Sequence, residues 1–141
     1  MKVNIKAKNV LWVMFAAIVI FIMIFCGGNV WNVSVPEYTS EVYSDREINA
    51  AIRTIKWYFK LHFNDCILTE ITYAGDEKSE HEAEFAQRNN ADEVIVLVSS
   101  FDVGASGGDG SLNPNSTYTG WSWILVRDEG GSWRHVSHGY G

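Results

Sequence analysis

The sequence predicts an α+β protein: a transmembrane helix at the N-terminus, then a small domain with helices packed on an antiparallel sheet. Three observations point there. Val10 to Cys26 is an unbroken, uncharged and almost wholly apolar run. Ser44 and Glu47 stand at capping-box spacing ahead of apolar residues that recur every three or four positions. Further on, apolar and polar residues alternate in short runs bounded by glycine-bearing turns, the period of partly covered strands.

The apolar run is seventeen residues, about 25 Å of helix and the short end of what a bilayer needs. Lys2, Lys6 and Lys8 precede it, and no acidic residue occurs before Glu37. Positive charge on one flank alone makes residues 1–9 a cytoplasmic basic tail and 10–26 a transmembrane or signal-anchor helix, with the chain external from about Asn29. The small residues Cys26, Gly27 and Gly28 offer signal peptidase a cut after Gly28, which would release a secreted form. Cys26 also invites lipidation, but bulky Phe25 stands where a small residue is required. An uncleaved anchor is the favoured reading, which places the protein in the cell membrane as a single-pass chain with its C-terminal domain extracytoplasmic.

Residues 27–43 read as an extracytoplasmic stalk or first extended segment, because Pro36 disfavours an interior helix and no period is sustained. Residues 44–141 read as one α+β domain. Its first helix follows the Ser44 cap and carries Ile48, Ala51, Ile52, Ile55, Phe59 and Phe63 in one stripe, widened by Trp57 and Tyr58, with Arg53, Lys56 and Lys60 turned away. A strand follows over 66–73. Ser79 and Glu82 repeat the capping-box spacing and predict a second helix through Gln87. Val94 to Val98 is a β-branched and leucine run suited to a central strand extending towards Asp102. Gly104 to Tyr118, rich in glycine and asparagine, predicts a long loop. Trp121, Trp123, Leu125 and Arg127 share one parity of the next strand, residues 128–132 turn, and a return strand runs from Trp133 to about Tyr140.

Charge and composition exclude several classes. All 17 acidic residues fall at or after Glu37 against eight Lys and Arg, leaving that stretch about nine charges negative. No cationic cluster is present to exchange with phosphate counterions, so nucleic acid is not an expected partner. Cys66 is the one cysteine outside the apolar run, so the domain has no internal disulfide, and Cys66 reads as a small buried hydrophobe. Asp109, Ser111, Asn113 and Asn115 place oxygens at alternate positions as a calcium loop does. Pro114 interrupts them, however, and Gly120 occupies the place of the closing glutamate. These side chains read instead as bonding to their own backbone. No metal ligand set and no cofactor motif is indicated.

The order helix, strand, helix, three strands resembles the NTF2-like or cystatin-like α+β architecture. The stretch Trp121-Ser122-Trp123-Ile124-Leu125-Val126-Arg127, then Gly130-Gly131 and Trp133-Arg134-His135-Val136, is similar to the closing hairpin of small exported NTF2-like domains of Gram-positive bacteria. Gly107 to Gly141 resembles uncharacterised membrane-anchored proteins of that sort. The resemblance implies helices on the concave face of a curved antiparallel sheet and a cone-shaped pocket. Enzymes of this kind commonly hold an Asp/His or Asp/Tyr arrangement inside the cone. Asp102, Asp109, His135 and His138 are the groups to weigh here. By strand parity His135 and His138 face opposite ways unless a bulge intervenes, so no catalytic residue is assigned.

The aromatic residues favour binding. Trp121, Trp123 and Trp133 offer rigid rings for a pocket, although a small domain also needs large side chains for its core. The expected ligand-binding set is Asp109, Asn113, Asn115, Tyr118, Trp121 and Trp123, on the loop and the strand beside it. The expected function is an anchored extracytoplasmic binding or accessory domain whose partner is an envelope protein or cell-wall glycan. A small-molecule hydrolase or isomerase is the alternative, and a carboxylate bonded to His135 or His138 in a closed cavity would mark it.

Overall fold

The computed structural model describes residues 5–140; Lys2 of the basic tail and Gly141 at the end of the expected domain lie outside the described residues. The first helix, α1, spans Ile5–Phe25. Among the described residues it supplies the one helix long and apolar enough to cross a membrane, Lys6–Ile24, and none of that stretch is buried. A single apolar helix consistent with a membrane anchor thus precedes a soluble α+β domain.

The second helix, α2 (Asp45–His62), starts where the capping box puts it: Ser44 Oγ accepts from Glu47 N, and Glu47 Oε2 accepts from Ser44 N at 2.8 Å. Ile48, Ala51, Ile52, Ile55 and Phe59 form its buried face. Tyr58 flanks that face, whereas Trp57, expected to widen it, is 61% exposed. At 100° per residue Trp57 falls beyond the stripe, on the side where Leu61 is also exposed.

Strands β1 (Cys66–Tyr73), β2 (Glu93–Val103), β3 (Thr117–Arg127) and β4 (Arg134–Tyr140) form one antiparallel sheet in sequence order. Alternation sends Ile95, Leu97, Phe101, Trp123 and Leu125 to the face under α2. It sends Val94, Val96, Ile124 and Val126 to the opposite face, where Phe85 and Ala86 cover them. Those two residues lie on α4 (Ala83–Arg88), which follows α3 (Asp76–His81). The resemblance implied helices on one face; here they lie on both.

The helix expected to start at Ser79 is therefore two short ones, and Ser79 is no cap. It is buried within α3, where its hydroxyl accepts from Val96 N at 3.0 Å and donates to Tyr73 Oη at 3.3 Å. β1 ends at Tyr73, so β2 has an amide left over at Val96, and the serine satisfies it.

The segment before Ser44 is held against the sheet edge. Asn29 and Ser34 make parallel bridges to Ile67 and Glu70 of β1, and Val30, Val33 and Tyr38 pack on the core. It covers an edge that would otherwise present unpaired backbone groups. Tyr43 closes it from inside, donating to Val94 O at 2.8 Å, and burial pushes its phenol up to about 12.

Candidate functional site

The C-terminal end of α2, the loop between β2 and β3, and the β3–β4 pair enclose a groove of about 280 Å³. Tyr58, His62 and Phe63 supply one wall, Trp121 and His138 the other, and Asp109, Ser111 and Leu112 the rim.

Two bulges build this wall. In β4, Ser137 pairs with Ile124 and His135 with the next residue, Leu125, so Val136 is the extra residue. That single insertion reverses parity, which brings His135 and His138 onto one face. Their rings stack at 5.0 Å, with His138 Nδ1 3.1 Å from His135 Nε2. In β3, Thr119 and Gly120 together oppose Ser100, and Gly120 has φ +67°. Tyr118 and Trp121 thereby share a face, at 5.5 Å.

The rings continue as a column. His62 lies 4.3 Å from Tyr58, Tyr58 4.1 Å from His135, and fully buried Trp123 stands 5.1 Å from His138. Burial first, then the neighbouring His138, pushes His135 down to about 4. Burial and the His62 charge also lower His138. A hydrogen bond between the two imidazoles needs one donor and one acceptor, so it holds only while one facing nitrogen is bare. At neutral pH the pair is uncharged.

The loop is ordered by its own polar groups. Asp65, at φ 56°, takes Ser106 N at 3.0 Å and Ser106 Oγ at 2.6 Å on one carboxylate oxygen, which lowers its pKa. A side chain at Gly104 would strike that carboxylate at 2.3 Å, so any other residue there would displace it. Asp109 accepts from Ser111 N at 3.0 Å and from its hydroxyl, and these bonds lower its pKa. Asn113 N donates to Tyr118 Oη at 3.1 Å.

Of the expected binding residues, Asp109 and Trp121 line the groove. Tyr118 packs behind Trp121 and stacks on Phe101 at 5.2 Å. Asn113 and Asn115 are exposed and belong to the loop's turns, Asn115 with φ 51°. Trp123 lies behind the groove wall, fully buried, and its indole donates to Ser99 Oγ at 2.8 Å. Trp133 is likewise buried, donating to Glu47 O. Tyr58, His62 and Phe63 are wall residues that the binding set omitted; the Tyr58–His62 spacing of four on the flank of the stripe was the available signal.

Asp102 is engaged elsewhere: its carboxylate accepts from Thr117 Oγ1 at 2.6 Å. Among the described residues no carboxylate bonds to His135 or His138, and no group of three His, Cys, Asp or Glu side chains is placed to hold a metal. Burial pushes the Cys66 thiol up to about 11, away from thiolate chemistry. One group in the wall lacks an acceptor: the buried indole Nε1 of Trp121. The arrangement offers ring faces and neutral imidazoles to an occupant.

No family model, no curated protein and no solved structure matches this chain.

Proposed function

We propose that this chain is a membrane-anchored extracytoplasmic binding or accessory domain of the NTF2-like or cystatin-like kind, and that its groove receives an envelope partner. The antiparallel meander under α2 supports the architectural part. The observation that carries the binding part is the groove itself, walled by Tyr58, Trp121 and His138. Rigid rings give contact area at little ordering cost.

Position favours an envelope protein over a cell-wall glycan. Asn64 lines the cavity at the exit of α1, and its carbonyl oxygen lies 3.5 Å from where a side chain on Gly108 would begin. The rim of the groove therefore lies at the anchor end of the domain, which supports a partner held at the same membrane. The hydrolase or isomerase reading has one observation in its favour, the neutral imidazole pair as a base. It lacks a carboxylate to orient that base.

A photo-reactive phenylalanine analogue at His62 or Ser111 on the groove rim, with a control at Val42, tests the proposal in intact cells. Adducts to an envelope protein from the rim positions alone are expected. Adducts whose mobility changes on digestion of cell-wall glycan would move the assignment to glycan, and equal labelling from Val42 would reject the groove. Turnover of a small compound, lost in His138→Ala, would install the enzyme reading instead.

A further inference from the structure

We infer that the domain lies on the outer leaflet of the membrane, with Trp31, Trp57, Leu61 and Ile67 as its lipid-facing contacts. The inference rests on the anchor reading of α1 and adds a second membrane contact to it.

The connection between anchor and domain leaves no slack. Gly28 N donates to Lys60 O at 3.0 Å, and Asn29 N to Cys66 O at 2.8 Å. A side chain on Gly28 would meet Phe59 at 2.6 Å, and one on Gly27 would meet Lys60 O at 2.0 Å. The paired glycines that read as a cleavage site are thus a close backbone approach. Lys60 completes the joint: its ammonium donates to the carbonyls of Ile24 at 3.2 Å and Cys26 at 3.1 Å, two acceptors that the end of α1 leaves unpaired.

This joint sets depth. Ile22 and Met23, within the apolar span, line one cavity of about 220 Å³ together with Trp57 and Leu61 of α2. Side chains that share a cavity share a level, so Trp57 and Leu61 stand where the apolar helix leaves the bilayer. They are 61% and 50% exposed, costly in water and suited to the boundary between headgroups and acyl chains. On the other side of the exit, Ile67 pairs with Asn29, and Trp31 follows two residues later; both are exposed. Apolar side chains flank the anchor on two sides, and with α1 in a bilayer the surface nearest to them is lipid.

The test uses the full chain in phosphatidylcholine vesicles, whose zwitterionic surface neither attracts nor repels the acidic domain. In a Cys26→Ser background, with Cys66 buried and unlabelled, nitroxides are placed singly at Trp57→Cys, Leu61→Cys, Ile18→Cys and Val42→Cys. Val42 is exposed and precedes the N-terminus of α2, roughly 25 Å along the helix from the joint. Collision with oxygen should exceed collision with a nickel chelate at 57, 61 and 18, with several-fold lower chelate access than at 42. Labels at 57 and 61 as water-exposed as 42, with 18 in lipid, would overturn the inference and leave the anchor standing. Immobilised labels at 57 and 61, shielded from both reagents, would mean a protein partner and overturn it equally. A water-exposed label at 18 would remove the anchor, and the inference with it.

Discussion

Arg127 is where the domain's parts meet. Its guanidinium is buried, pairs with Glu93 at 2.6 Å and with Glu47, and lies 4.2 Å over the Trp133 ring. Removing it strands two carboxylates and an aromatic face. Both carboxylates keep partial solvent contact, so Arg127→Met should cost about 2–3 kcal/mol in urea unfolding rather than the larger loss of a fully buried pair. A change within 0.5 kcal/mol (about the scatter of surface substitutions) would deny it that role. The same residues set the acid response. The Arg127 hydrogen bond chiefly holds Glu47 down to about 2, so its contribution is complete above the ordinary carboxylate range and disappears as pH falls towards 2. His135 acts at higher pH: between its ordinary 6.5 and about 4 the unfolded chain binds more protons, so stability falls as pH drops through that window. Denaturation midpoints measured from pH 7 to 3 should fall in two limbs, with His135→Gln flattening the upper one only. An unchanged upper limb would place that titration elsewhere. The parity of Arg127 is visible in the sequence; its partner 80 residues away is not, because nothing local encodes it.

At the scale of elements, the legible parts were those with a strong period. The α2 stripe and cap, the continuous run of β2 and the hairpin after Arg127 all follow from patterns that burial on one or both faces imposes. What escaped depended on a neighbour. Ser79 carries a helix-start signal, yet the unpaired Val96 amide claims its hydroxyl. The His135–His138 pairing depends on a bulge at Val136, a residue with no bulge signature, whereas Gly120 at least marked the bulge in β3. Half of the groove was therefore readable: Asp109 and Trp121 from loop and strand, but not their meeting with Tyr58 and His62. Trp57 went astray because its hydrophobicity suits a core as well as it suits lipid. Ile52 and Trp57 make the contrast measurable. Ile52→Ala empties space between α2 and the sheet and should cost roughly 2–4 kcal/mol in detergent-solubilised protein. Trp57→Ala should change stability by less than about 0.5 kcal/mol under the same conditions. A larger loss at Trp57 than at Ile52 would invert the assignment of the helix faces.

For the whole molecule, one consequence of the packed segment 29–43 separates it from a domain on a loose stalk. The backbone of Asn29 and Ser34 is bonded to β1, Thr72 Oγ1 donates to Pro36 O at 3.0 Å, and Asp76 accepts from Ser40 and Glu41. A protease needs a longer stretch of free, adaptable chain than these anchor points at Asn29, Ser34, Pro36 and Ser40–Glu41 leave between them until the sheet opens. Protease added outside intact cells should therefore release no folded 44–141 fragment under native conditions. Once mild heating or urea populates the opened domain, the chain should shorten from its C-terminal side down to a membrane-held piece if, as the flanking lysines lead us to propose, the N-terminal end of α1 faces the cytoplasm. Native release of a folded fragment would show that the segment detaches and behaves as a stalk. Protection of the opened domain in intact cells, with digestion only after lysis, would reverse the orientation and put the groove on the cytoplasmic side, out of reach of any envelope partner.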